Sequence, residues 1–252
     1  MSEEMEIPWW EQRKQESLER RIAEAQKDAP AQPGDSFLIV TEGTVTEPVY
    51  FEALRQSMEL SLVKVKVMPG DASDPRHVIQ SAVREVRELT RLAKKKRTSL
   101  TELESYDHVW AVIDSDVAIR NGFWNEVIQL AEANSVQLAH STPCFEYWLY
   151  LHLKYSTKAI FTDGTTAKKA VKDELGEEYS TNREVAEDVI PRIFIPRWKA
   201  AVENSRKCRQ HHEAGGTPPP ANPSTEVDLL VTALEFSMPP YTRMGDPDPK
   251  AS

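Results

Sequence analysis

Three acidic features of this sequence follow runs of apolar residues, the place where a parallel sheet would present them to a ligand. Glu42 comes directly after Phe37-Leu38-Ile39-Val40-Thr41, and Asp114-Ser115-Asp116 directly after Val109-Trp110-Ala111-Val112-Ile113. Glu146 falls in the first turn of an apolar helix, CFEYWLYLHL, that follows a strand signal at Val136 to His140. In open α/β sheets ligands bind outside the carboxyl ends of the strands, so this placement matters more than the number of acids. Asp114 and Asp116 flank a single Ser115, and on extended backbone their side chains project the same way. Carboxylates held together repel, and a cation between them relieves the cost. An all-oxygen set suits Mg2+ or Mn2+, which keep waters and bridge to phosphates. Asp and Ser also favour turns and caps, the simpler reading of a lone D-x-D. A Glu-Gly after one strand together with a D-x-D after another favours the metal.

Basic residues gather in two stretches. Residues 84–97 hold seven Arg and Lys against Glu85 and Glu88, a pattern that a solvated helix face explains equally well. Residues 192–212 hold six, against Glu203 alone. There Arg197, Arg206, Lys207 and Arg209, with Trp198 and His211, suit phosphate contact and base stacking. Asn222, Ser224 and Thr225 could hydrogen-bond a phosphate beside a helix N-terminus; Ser224 or Thr225 could equally cap that helix. Cys144, His152, Cys208, His211 and His212 include no C-x2-C or H-x3-H pair, so core and surface roles are expected rather than zinc. Neither a P-loop nor a G-x-S-x-G elbow occurs.

The elements that must position these groups alternate between strand and helix. Strands are predicted at Phe37–Val40, around Val63, Val65 and Val67, at Val109–Ile113 and at Val136–His140. Helices are predicted from Glu47 to about Glu59, from Pro75 onward, around Phe123–Ala131, and from Thr142-Pro143, with the proline at the first helical position. Such alternation predicts a mostly parallel sheet covered by helices, an α/β fold. Four regions are expected: an N-terminal helix and linker (1–34) with Trp9-Trp10 as an anchor, an α/β domain (35–157), a mainly helical C-terminal region packed on it (158–240), and a tail (241–252). With 252 residues, 40% hydrophobic and 28% charged, the chain is no disordered protein, collagen or disulfide scaffold. The net charge of −9 argues against a chain-wide nucleic-acid coat, though not against local basic patches. No run approaches the roughly 20 apolar residues that span a bilayer. An acidic N-terminus without an apolar core is not a secretory signal, and two cysteines fit a reducing compartment, so a cytoplasmic protein without membrane attachment is expected.

Four blocks, FLIVTEGTVTEPVYFEAL, VWAVIDSDVA, STPCFEYWLYLHL and ANPSTEVDLLV, together spanning residues 37–234, resemble the RloB family in sequence and in order. Those proteins are encoded beside bacterial restriction systems and carry a TOPRIM-like catalytic domain. The resemblance implies a TOPRIM-like sheet and antiphage defence by cutting RNA, tRNA among the candidates, or DNA. Mg2+ or Mn2+ would be held by Glu42, Asp114 and Asp116, with Glu42 as ligand or general base. Glu47 and Glu146 match further acidic positions of the blocks. TOPRIM proteins often extend the motif to D-x-D-x-D; here the third position is Ala118. Nucleic acid is the expected substrate, and a partner ATPase of AAA or ABC type, or a homo-oligomer, is expected to restrain a toxic enzyme. The competing expectation is a non-catalytic module that binds nucleotide or nucleic acid under control of such an ATPase.

Overall fold

The run Phe37–Thr41 (β1) is buried at every position, as a strand must be when it pairs on both edges and is covered on both faces. In the computed structural model, which describes residues 35–58, 60, 65–70, 74–96, 106–158, 161–177 and 179–238, β1 lies between Val65–Pro69 (β2) and His108–Asp114 (β3), parallel to both. Beyond β3 the sheet continues with Gln137–Thr142 (β4), parallel, and closes with Ser224–Thr225 (β5), antiparallel. The spatial order is β2-β1-β3-β4-β5. Because the chain leaves β1 toward one side and later returns to its other side, the carboxyl ends of β1 and β3 flank a topological switch point. The α/β expectation holds: a five-stranded, mostly parallel sheet is flanked by helices.

Alternation along the strands divides the core in two. Phe37, Ile39, Trp110, Val112 and Ala139 face one cluster; Leu38, Val40, Ala111 and Ile113 face the other. The second is covered by Pro75–Lys96 (α2), Asp116–Arg120 (α3) and Trp124–Ala133 (α4), through Val78, Ile79, Ala82, Ala118, Val127 and Ala131. On the first face lie Thr46–Ser57 (α1), Phe145–Leu153 (α5), Gly164–Leu175 (α6), Arg183–Val189 (α7), Trp198–Ala214 (α8) and Val227–Phe236 (α9). A π-helical turn, Ile190–Phe194, and a 3-10 turn, Ile195–Arg197, join α7 to α8. In α5 every residue from Phe145 to His152 is buried, the mark of a helix packed on all sides. Its His152 is neutral, held down to about 3 by burial. The Tyr50 hydroxyl bonds its Nε2 at 3.0 Å, and Nδ1 donates to the Trp148 carbonyl at 3.0 Å. Cys144 and Cys208 are buried thiols, in keeping with core roles.

Several local expectations are corrected. Pro143 does not open α5: Thr142 stays in the β4 ladder, Cys144 takes an extended backbone as the cap residue, and Phe145 is the first helical residue. Ser224 and Thr225, expected in a loop or cap, form the edge strand β5; Glu226 takes the cap position of α9, but it is Thr225 Oγ1 that accepts the N–H of Val227, the first residue of the helix, at 3.2 Å. Short α3, which begins at the second aspartate of the D-x-D, was not predicted, because five residues carry no readable period. Trp9-Trp10, the N-terminal helix, Val63 and the tail from 241 lie outside the described residues, as do the side chains of Lys94, Lys95 and Lys96.

Candidate functional site

Glu42 is the residue after β1, and its N–H still donates to the Val112 carbonyl of β3 at 2.9 Å. That bond ties the ends of the two central strands together. The Glu42 side chain folds back across the junction, and its Oε2 accepts from the Asp114 N–H at 3.0 Å. Asp114 closes β3 and turns Oδ1 to the Phe145 N–H, the first amide of α5, at 2.9 Å. Between them Ser115 is fully buried, and its Oγ meets the Ser141 carbonyl at 3.1 Å and Thr142 Oγ1 at 2.5 Å. The middle residue of D-S-D is thus a lock onto β4, which fixes the direction of both aspartates.

Two helices aim a glutamate from their first turn at the same place. Glu47 (α1) is buried, and its Oε1 accepts from the Gly43 N–H at 3.1 Å. A Cβ on Gly43 would stand 2.0 Å from Glu47 Oε2, so only glycine lets this carboxylate lie against the backbone. Glu146 (α5) is buried as well, with Lys168 Nζ of α6 at 3.7 Å from its Oε1. A first-turn acid is favoured by the helix dipole, but here the two are driven together. Burial first, then repulsion from Glu47, Asp116 and Asp74, raises Glu42 to about 8, against the relief from the Asp114 N–H. Burial, then repulsion from Glu146, raises Glu47 to about 7, with Lys168 pulling the other way. Asp114 is raised well above the ordinary range by burial and by Glu47, Glu42 and Glu146.

The structure therefore brings Glu42, Glu47, Asp114 and Glu146 into one acidic cluster at the switch point. Asp116 stands at its rim: it begins α3, accepts from the Val117 N–H at 2.7 Å and lies 3.9 Å from Arg120. The donors are all oxygen and crowded with like charge, which fits a hard divalent cation in chemistry. Among the described residues no three His, Cys, Asp or Glu side chains converge as a ready set of ligands; Glu42, Glu47 and Asp114 each turn an oxygen to a backbone N–H instead.

The residues expected to hold nucleic acid divide by burial. Arg197, Arg206, Lys207 and Asn222 are exposed; Arg197 donates to the Ile193 carbonyl and Lys207 Nζ lies 3.3 Å from Glu203. Arg209 is corrected: its guanidinium is turned inward to Asp228, Nη1 donating to Oδ1 at 2.6 Å and Nη2 to Oδ2 at 2.5 Å, so it braces α8 against α9. Ser224 and Thr225 are corrected too. Both are buried, Ser224 Oγ donating to the Ala221 carbonyl at 2.6 Å and Thr225 Oγ1 lying 2.8 Å from Ser141 Oγ. Both hydroxyls are engaged within the fold, although the two residues also line a small cavity with Arg209, His140 and His212.

Sequence reasoning missed Lys168 and Gly43. Lys168 sits in an ordinary charged helix without any motif; Gly43 stood in plain view in the Glu42-Gly43 pair.

Comparison with curated proteins and with solved structures gives no match. A family model described as RloB-like protein matches residues 37–234, from the first residue of β1 to within α9, and the chain belongs to that family.

Proposed function

We propose that the chain is a divalent-metal-dependent nuclease of TOPRIM type, an effector of antiphage defence that hydrolyses phosphodiester bonds of RNA or DNA. The observation that carries the reading is the cluster of Glu42, Glu47, Asp114 and Glu146 at the switch point, with three carboxyls raised by burial and by one another. Membership of the RloB-like family supports it. Bound there, Mg2+ or Mn2+ would supply positive charge to a phosphate oxygen and lower the pKa of a water. Glu42 and Asp114 are the residues that would hold the ion, with Asp116 at the rim. Glu47, whose carboxyl burial and Glu146 push upward, would be the group to take a proton from an attacking water. Gly43 keeps that carboxylate in place by leaving room for it. Exposed Arg197, Arg206 and Lys207 supply cations for a nucleic-acid backbone. A partner ATPase or self-assembly would keep the enzyme silent between infections.

The deciding experiment is cleavage of mixed RNA and DNA by the purified chain, with Mg2+ and with chelator, beside Asp114→Asn. Metal-dependent cleavage that the variant loses is the expected result. Full metal-dependent cleavage by Asp114→Asn would move the active site elsewhere. Binding of nucleic acid without cleavage under Mg2+ or Mn2+ would assign the chain to the non-catalytic class.

A further inference from the structure

Lys168 comes from the C-terminal region, yet it reaches a cluster built from the ends of β1 and β3 and the first turns of α1 and α5. Its place is set locally. Asp163 caps α6 by accepting the Thr166 N–H at 2.8 Å while Thr166 Oγ1 accepts the Asp163 N–H at 3.0 Å, and Gly176 ends the helix in a left-handed conformation. Ala167 and Val171 are buried on one side of α6, which seats the helix and leaves the neighbouring Lys168 at its edge. The Lys168 side chain is 47% exposed while that of Glu146, 3.7 Å away, is 8% exposed. Its ammonium is therefore open to solvent on one side and faces a buried carboxylate on the other. The same charge also acts on Glu47. Other cations have acids of their own: Lys169 pairs with Asp173, Arg183 with Glu187 at 3.0 Å, and Arg76 with Asp74 at 2.8 Å.

We propose that Lys168 is the cluster's own counter-cation and competes with a divalent ion for it. The proposal rests on the divalent-ion reading above. Four carboxyl groups gathered at one sheet end are relieved by protons or by positive charge, and a lysine on a flexible stem supplies the charge without fixing a geometry. When a divalent ion enters, the ammonium meets a like charge and its flexible stem lets it withdraw toward solvent. Lys168 thus sets a threshold: the ion must be present at sufficient concentration, or be brought with a phosphate, before it displaces the residue.

Calorimetric titration of MnCl2 into the full chain tests this. Lys168→Met is expected to tighten the ion by roughly three- to tenfold, the range for one partly solvated unit charge near a dication. Lys168→Arg, which keeps the charge, should bind as the wild type does, and so should Lys169→Met, which removes a neighbouring charge turned elsewhere. Should Lys168→Met fail to fold, Lys168→Gln replaces it in the same comparison. Equal or weaker affinity in the neutral variant overturns the competition while leaving the metal reading intact. No ion uptake by the wild type overturns the metal reading itself, and the competition with it.

Discussion

Glu42 and Glu47 carry the residue-scale consequence. A carboxyl raised from 4.5 to about 8 in the fold prefers its proton there, so Glu42 contributes stability that is full below about 4.5 and lost as pH rises through about 8. Glu47 adds a loss of the same sign that develops between about 4.5 and about 7. In chelator, the melting temperature should therefore fall across pH 5 to 8, and Glu42→Gln should flatten the upper part of that fall. A melting temperature that climbs over this range would show the carboxylates to be content in their ionised forms. Glu42, Asp114 and Glu146 were legible in the sequence because each directly follows or opens an apolar element. Lys168 was not, since no pattern links a lysine in one helix to a glutamate 22 positions earlier in another. Asp116 shows the opposite error. The D-x-D alternation assumed extended backbone through both aspartates, but the helix starts at Asp116 and swings it to the rim.

At the scale of elements, the α8–α9 contact separates two arginines that the sequence grouped together. Ala201, Val202, Ser205 and Cys208 are buried along one side of α8, at the spacing of one helical face, and Arg209 follows on that face. Arg206 and Lys207 are turned to solvent. Arg209→Ala would leave Asp228, whose side chain is 1% exposed, buried without its partner, at a cost of roughly 3 kcal/mol. Arg206→Ala should change stability by no more than about 0.5 kcal/mol, while lowering the salt dependence of nucleic-acid binding by roughly one phosphate contact. Denaturant melts and a salt titration of the two single variants check both; equal stability losses would mean that burial does not separate them. The helical period held this distinction. Composition, which grouped Arg with Trp and His, did not.

Across the whole molecule, strands, helices and their alternation were readable because two-sided burial and helical spacing leave strong marks. The strand order was not, since pairing partners leave no local trace. Nor was β5, two residues long and directly preceded by Pro223. Its pairing makes residues 158–240 more than an appendage: Ser141 and Thr142 of β4 match Thr225 and Ser224, and α5 is enclosed by α6, α8 and the π-helical turn. A chain ended at residue 157 should expose Phe145, Trp148, Leu149 and Leu151, all buried in the full fold; it should aggregate or bind a hydrophobic dye and lose its cooperative melt. A sharp transition in that fragment would make 35–157 a domain in its own right. The edge strand has one more consequence, in time rather than space. Synthesis delivers the chain from its N-terminus, so the strands bearing Glu42 and Asp114 emerge long before Lys168, β5 and α9. For a protein whose proposed target is nucleic acid, made on a machine largely of RNA, the order of its elements works as a delay: the acids are produced early, and the framework that holds them is finished only once α9 has emerged.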